Sequence, residues 1–218
     1  MRTIGHRGCA TRFPENTVRA VRESAPHVDA VEIDVRRCGT GELVVIHDET
    51  VDRVTAASGR VDELSFDELS TLSVAGSDAT IPSLAAVLDA VPAETGVNVE
   101  VKHGGMCEDV CSLVDGIDND VWVSSFDADA VAAFRGTGMP TALLFKDTFE
   151  RNVQRAVDLG CEFVHPNYEA VDAERVERSH ERGLEVNAWT VPTAEAVGRL
   201  RDAGVDGVIV DTWEVASE

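Results

Sequence analysis

The stretch AVEIDVRRCGTGELVVIHD, residues 30–48, carries the strongest signal for how the chain folds. Residues 30–35 read as a short β-type apolar run that contains two acids, Glu32 and Asp34. A second apolar run, Leu43-Val44-Val45-Ile46, arrives too soon for an intervening helix, and Gly39-Thr40-Gly41 between the two reads as a hairpin turn. The strand is therefore expected to extend past the end of its sheet, fold over and return antiparallel. Folding about residues 40 and 41 predicts position 34 opposite position 47, which sets His47 beside Asp34.

Outward from this segment, short β-type runs recur at 3–6, 97–102, 121–125, 141–145, 163–165, 185–189 and 207–210. Helical stretches lie near 17–24, 84–91, 108–114, 129–134, 149–159, 173–182 and 194–203, and Gly136, Gly160, Gly183 and Gly204 each follow one of them as left-handed caps would. Eight β units alternating with helices predict an α/β fold, a (β/α)8 TIM-type barrel with a hairpin and a small insertion after the second strand. An open doubly wound sheet is the alternative, but no G-x-G-x-x-G loop follows the first strand. Residues 1–218 read as one barrel domain, with 48–80 as an excursion above the barrel mouth. Thr80-Ile81-Pro82-Ser83 returns the chain to the next helix, with Ser83 as its expected N-cap.

The 218 residues carry 19 Lys plus Arg against 40 Asp plus Glu, a formal charge of −21, so nucleic acid is excluded as a partner by like-charge repulsion. Apolar residues make up 44% of the chain, enough for a packed core, and no run approaches the length of a membrane span. Five scattered cysteines without metal-knuckle spacing fit buried thiols in a reducing compartment. The first strand starts at once, leaving no room for a leader, so the expected location is cytoplasmic. Only Lys102 and Lys146 are lysines. Acid excess with so little lysine resembles proteins of salt-accumulating, halophilic microbes, in which molar salt screens the self-repulsion.

Four short motifs end at one rim: Gly5-His6-Arg7-Gly8, Glu32-Ile33-Asp34, His47-Asp48 and Glu100-Val101-Lys102. Residues i and i+2 of a strand share a face, so Glu32 with Asp34, and Glu100 with Lys102, project together into the barrel mouth. Three inward carboxylates raise one another's pKa unless a cation neutralises them. All-oxygen ligation suits one hard divalent ion, calcium or magnesium, better than zinc. A salt-bridged structural cluster using Arg7 and Lys102 is the plainer alternative. His6 and His47 flank the cluster, where one imidazole can take a proton while the other gives one, and Arg7 and Lys102 suit phosphate oxygens. Together these groups read as phosphoryl chemistry.

His6-Arg7-Gly8, Pro14-Glu15-Asn16-Thr17, Glu32-x-Asp34, His47-Asp48 and Glu100-x-Lys102, in this order and spacing, resemble the glycerophosphodiester phosphodiesterase family. Ile81-Pro82-Ser83-Leu84, Ser125-Phe126-Asp127 and Ala188-Trp189-Thr190 add to the match, which runs from Ile4 to Asp211. The resemblance implies a metal-dependent hydrolase that splits small soluble glycerophosphodiesters into glycerol phosphate and an alcohol. It implies Glu32, Asp34 and Glu100 as metal ligands, His6 and His47 as the acid–base pair, and Arg7 and Lys102 as phosphate contacts. Phe126 and Trp189 match the family's rim aromatic positions and are expected to wall the glycerol site. Glu15 and Asn16 are expected at the start of the first helix, with Asn16 capping or bracing the loop. Two alternatives stand beside this reading: lysophospholipase D-type activity on a single-chain lipid, and a barrel that binds phosphorylated ligands without turnover. Neither stable membrane insertion nor a particular oligomeric state is implied.

Overall fold

A computed structural model describes residues 1–217 and contains a closed sheet with helices between its strands. The strands are β1 (Arg2–Gly5), β2 (Ala30–Arg37), β3 (Leu43–Val45), β4 (Gly96–Val101), β5 (Val121–Ser125), β6 (Thr141–Phe145), β7 (Phe163–Pro166), β8 (Glu185–Ala188) and β9 (Gly207–Val210). Eight run parallel in the order β1-β9-β8-β7-β6-β5-β4-β2, and β1 pairs with β2 to close the barrel. Only β3 is antiparallel, hydrogen-bonded to the overhanging end of β2.

The hairpin forms where expected but one residue out of the expected register. Val35 pairs with Val45 and Arg37 with Leu43, so Asp34 faces Ile46, whose N–H donates to the Asp34 carbonyl at 2.9 Å. The cause is the turn: Cys38 N–H reaches the Glu42 carbonyl, so three residues, 39–41, make the bend, and Gly41 takes φ 105° to close it. His47 still arrives at the mouth because it lies beyond β3, where the ladder no longer dictates which face a side chain takes.

The helices are α1 (Val18–Ser24), α2 (Phe66–Leu69), α3 (Leu84–Leu88), α4 (Cys107–Val114), α5 (Ala128–Ala132), α6 (Phe149–Leu159), α7 (Ala173–His180) and α8 (Ala194–Ala203). Ser83 caps α3, accepting from Ala86 N–H, while the N-cap of α1 is Thr17 rather than Asn16. Gly160 and Gly204 are the left-handed C-caps of α6 and α8. Gly136 and Gly183 also have positive φ but stand four and three residues past the ends of α5 and α7, in irregular final turns.

Two apolar clusters fill the layer between the strands and the helices, one on the side of β2, β4 and β5 and one on the side of β6 to β9. A third, containing Val51, Val61, Leu69 and Val74, gives the 48–80 excursion its own small core. The barrel interior begins with Ile4, Ala30, Trp122, Ala142 and Ile209. Amid these apolar residues lie four buried polar side chains, Asn98, Ser124, His165 and Asn187. Register places Asn98 beside Glu32 and Ser124 beside Glu100, so these two polar side chains adjoin the carboxylates of the mouth on neighbouring strands.

Candidate active site

The first strand stops at Gly5, and His6–Gly8 form a tight turn instead of continuing the strand through His6. Arg7 is held at φ 52° and Gly8 at φ 72°, both left-handed. A Cβ on Gly8 would lie 2.7 Å from the Ala20 Cβ, so glycine is what lets α1 press against the turn. The strained geometry points the Arg7 N–H at Glu32 Oε2, 2.8 Å away, and sets His6 and Arg7 over the end of β2.

Glu32 and Asp34 rise from β2 and Glu100 from β4, with Asp34 and Glu100 in register across the pair. The three carboxylates are buried and offer oxygens all within 4.8 Å of one another. Asp34 is the most elaborately held. Asn16 Nδ2 donates to its Oδ2 at 2.7 Å, its own N–H donates to Asn16 Oδ1 at 3.1 Å, and Lys102 Nζ lies 2.5 Å from Oδ1. Arg7 Nε is 3.2 Å from Oδ2, and Lys102 also pairs with Glu100. Burial alone would raise the Asp34 pKa, but Lys102 and Arg7 reverse it and hold the carboxyl well below its usual range. Glu32 goes the other way: burial and then the Asp34 charge push it up to about 8. Glu100 is likewise raised, by burial and by Asp34.

No lysine or arginine side chain pairs with Glu32, and its buried Oε1 makes no hydrogen bond. A buried oxygen left unpaired beside two further carboxylates fits a hard divalent cation, whose ligands are oxygens. No Cys or His belongs to the set, so its donor chemistry favours calcium or magnesium over zinc.

Each histidine is braced through one ring nitrogen. His6 Nδ1 is 2.7 Å from Asp211 Oδ1, and His47 Nδ1 is 2.6 Å from Asp48 Oδ1. His6 thereby turns its Nε2 to the mouth, 3.9 Å from Glu32 Oε2, and His47 lines the same cavity. Burial would lower the His6 pKa, but the Asp211 bond and the Glu32 charge outweigh it and raise it. For His47, burial prevails and the pKa is lowered, Asp34 opposing and Lys102 assisting.

His6, Arg7, Glu32, His47, Glu100 and Lys102 line one cavity of about 110 Å³, with Phe126 and Trp189 on its apolar side and Asp34 buried behind it. The two aromatic rings meet edge to face, centroids 5.3 Å apart, and Trp189 Nε1–H is anchored on the His165 carbonyl. All nine residues expected at the site from the sequence are thus brought together. A larger open trough of about 590 Å³, between Cys111 and Pro140, has one carboxylate, Asp115, and no cation in its lining, so its size does not recommend it as a reaction centre.

Several contacts at the site could not be read from the motifs that hold the residues. Asp211 lies 205 positions from His6, and only closure of the barrel makes them neighbours. Glu15 is fixed by Arg7 at 2.9 Å and by Arg53, rather than by the start of a helix. Arg53 also grips Asp48 at 2.5 Å, tying the excursion to the brace of His47. Asn98 and Thr190 complete the lining.

The model of the glycerophosphoryl diester phosphodiesterase family matches residues 6–215, nearly the whole chain. The chain belongs to that family. A glycerophosphodiester phosphodiesterase of Caldanaerobacter subterraneus subsp. tengcongensis is 30% identical over 230 residues, covering 97% of this chain and 94% of the relative. Another, of Bacillus altitudinis, is also 30% identical and covers 95% and 93%. Among solved structures, glycerophosphodiester phosphodiesterase of Thermotoga maritima superposes with a TM-score of 0.87 at 26% identity, covering 98% and 96% of the two chains. An Oleispira antarctica phosphodiesterase, solved with its product sn-glycerol-3-phosphate, shares the fold with a TM-score of 0.91 at 24% identity, covering 100% and 96%. As a family member the chain is a phosphoric diester hydrolase built on a TIM barrel.

Proposed function

We propose that this enzyme hydrolyses soluble glycerophosphodiesters to glycerol phosphate and an alcohol, with His6 and His47 as its acid–base pair. The observation that carries the reading is the pair of braced imidazoles on one cavity with three buried carboxylates and two cations. A family relative's complex with glycerol phosphate, and the cavity of about 110 Å³, favour a polyol-sized group. Residues 1–218 act as one catalytic unit, with 48–80 holding His47 in place through Arg53 and Asp48.

In this reading Glu32, Asp34 and Glu100 hold one calcium or magnesium ion. Such an ion supplies fixed positive charge that acidifies the glycerol hydroxyl beside the ester and offsets charge on phosphorus. One histidine takes the proton of that hydroxyl as its oxygen attacks phosphorus, and the other protonates the departing alcohol, leaving a cyclic phosphate. Water then opens the ring with the two histidines exchanging roles. Attack from within one molecule gains from proximity, and Arg7 and Lys102 hold the phosphate oxygens as negative charge builds. Phe126 and Trp189 flank the apolar edge of the glycerol.

Release of glycerol phosphate from glycerophosphocholine or glycerophosphoglycerol, before and after chelation, tests the proposal. Turnover that disappears with chelator and returns with calcium or magnesium supports it. Binding without turnover favours a phosphate-binding barrel instead. Phe126, 46% exposed at the rim, is the one observation that favours a single-chain lipid substrate, and faster turnover of lysophosphatidylcholine would establish that alternative. We also place the enzyme in a reducing cytoplasm, on its five free thiols, and in a high-salt cell, on its charge of −21 with two lysines. Among the described residues no helix is long and apolar enough to cross a membrane.

A further inference from the structure

Glu32 and Asp34 occupy alternate positions of β2, and the next residue on that face is Arg36. The reaction derived above gives it no role. Its Nε donates to the backbone carbonyl of His47 at 2.8 Å, which seats the side chain against a catalytic group at the top of the mouth. That bond uses one of the five N–H groups of the guanidinium. Among the described residues, neither Nη has a hydrogen-bond partner and no carboxylate is in contact with the group.

The other cations of the mouth are arranged differently. Arg7 touches Glu15 and Asp34, Arg53 touches Glu15 and Asp48, and Lys102 touches Asp34 and Glu100. Arg36 is half-buried, and Glu49, Asp34, Asp48 and Glu100 act on it only through space. Burial without a touching counter-ion costs stability. An anchored arginine with an open fork is a receptor for a planar oxyanion. It stands two strand positions, about 6–7 Å, beyond Asp34 on the outward side of the mouth, just outside the residues that line the cavity itself.

We propose that Arg36 is a specificity-determining residue whose free Nη groups bind an oxyanion on the alcohol half of the substrate. The enzyme then favours glycerophosphodiesters whose headgroup carries a carboxylate or a second phosphate over those with neutral or cationic headgroups. This rests on the phosphodiesterase reading of the same cavity. Arg7 and Lys102, lower in the mouth, remain with the scissile phosphate.

Glycerophosphoserine and glycerophosphoethanolamine differ only by one carboxylate, so the ratio of their kcat/KM values isolates the contact. Any loss of His47 positioning in a variant cancels in that ratio. The wild type is expected to prefer the serine diester, and Arg36→Gln to lower the ratio by about 10-fold or more through the serine substrate alone, since a charged hydrogen-bonded pair contributes roughly 1.5–3 kcal/mol. Arg36→Lys, which keeps the charge but not the fork, is expected to recover part of the ratio. A melting temperature for each variant confirms that the barrel is intact. Equal losses on both substrates would overturn the proposal and leave Arg36 the role of holding His47 or the scissile phosphate. An unchanged ratio in both variants would overturn it outright. If the wild type turned over neither diester, the phosphodiesterase reading itself would fail, a result distinct from either of those.

Discussion

At the residue scale, the site is a set of side chains whose second contact decides what the first can do. His6 and His47 each commit one nitrogen to a carboxylate, leaving a single nitrogen for proton transfer. His6→Ala and His47→Ala are each expected to lower kcat by about 10²-fold or more, and a near-normal rate in either would reject the acid–base scheme. Asp211→Asn keeps the shape but alters the charge behind His6, so kcat is expected to fall about 10-fold with a displaced pH profile; an unchanged profile would reduce Asp211 to packing. His165 illustrates a titratable group that the reaction does not use. It is wholly buried, its Nε2 rests 3.1 Å from Asn187 Nδ2, its Nδ1 has no partner, and burial lowers its pKa to about 3. Because the folded value lies below the unfolded 6.5, its neutral form leaves stability intact above pH 6.5 and the loss grows as pH falls toward 3. Chemical denaturation should show about 2 kcal/mol of His165-dependent loss between pH 7 and pH 5. A His165→Leu variant that retains the full pH 7 to pH 5 difference would refute this.

At the element scale, strands carry the chemistry and turns aim it. The motifs on β2 and β4 were legible because period-two alternation and apolar runs belong to the sequence itself, and Glu32, Asp34 and Glu100 lie together as that pattern requires. Turn geometry was less legible. Nothing in Gly39-Thr40-Gly41 distinguishes a two-residue from a three-residue bend, and that single residue moved Asp34 from opposite His47 to opposite Ile46. Contacts between strands, Asp211 on His6 across the closure of the barrel and Asn187 on His165 between the neighbouring β7 and β8, have no local pattern at all. The short turn after β1 yields a direct prediction. Gly8→Ala adds a Cβ 2.7 Å from that of Ala20 at a left-handed φ, so it should cost roughly 1–3 kcal/mol and reduce kcat by misplacing Arg7. Wild-type stability and rate would show that α1 gives way and that the tight packing is incidental.

At the scale of the whole molecule, acidic residues outnumber Lys plus Arg by 40 to 19. The charge of −21 opposes compactness in dilute buffer and is screened within about 3 Å at molar salt. The melting temperature is therefore expected to rise from dilute buffer to molar KCl; a higher value in dilute buffer would contradict the high-salt habitat. In the proposed reaction three carboxylates from two strands meet around one cation, with two imidazoles facing across a phosphate. Crystals grown with calcium and glycerol phosphate measure it most directly. The account predicts one ion peak contacted by Glu32, Asp34 and Glu100, with the phosphate between the free nitrogens of His6 and His47. An acidic cluster still bound only to Lys102 and Arg7, with the ion elsewhere or either ring turned from the phosphate, would contradict it.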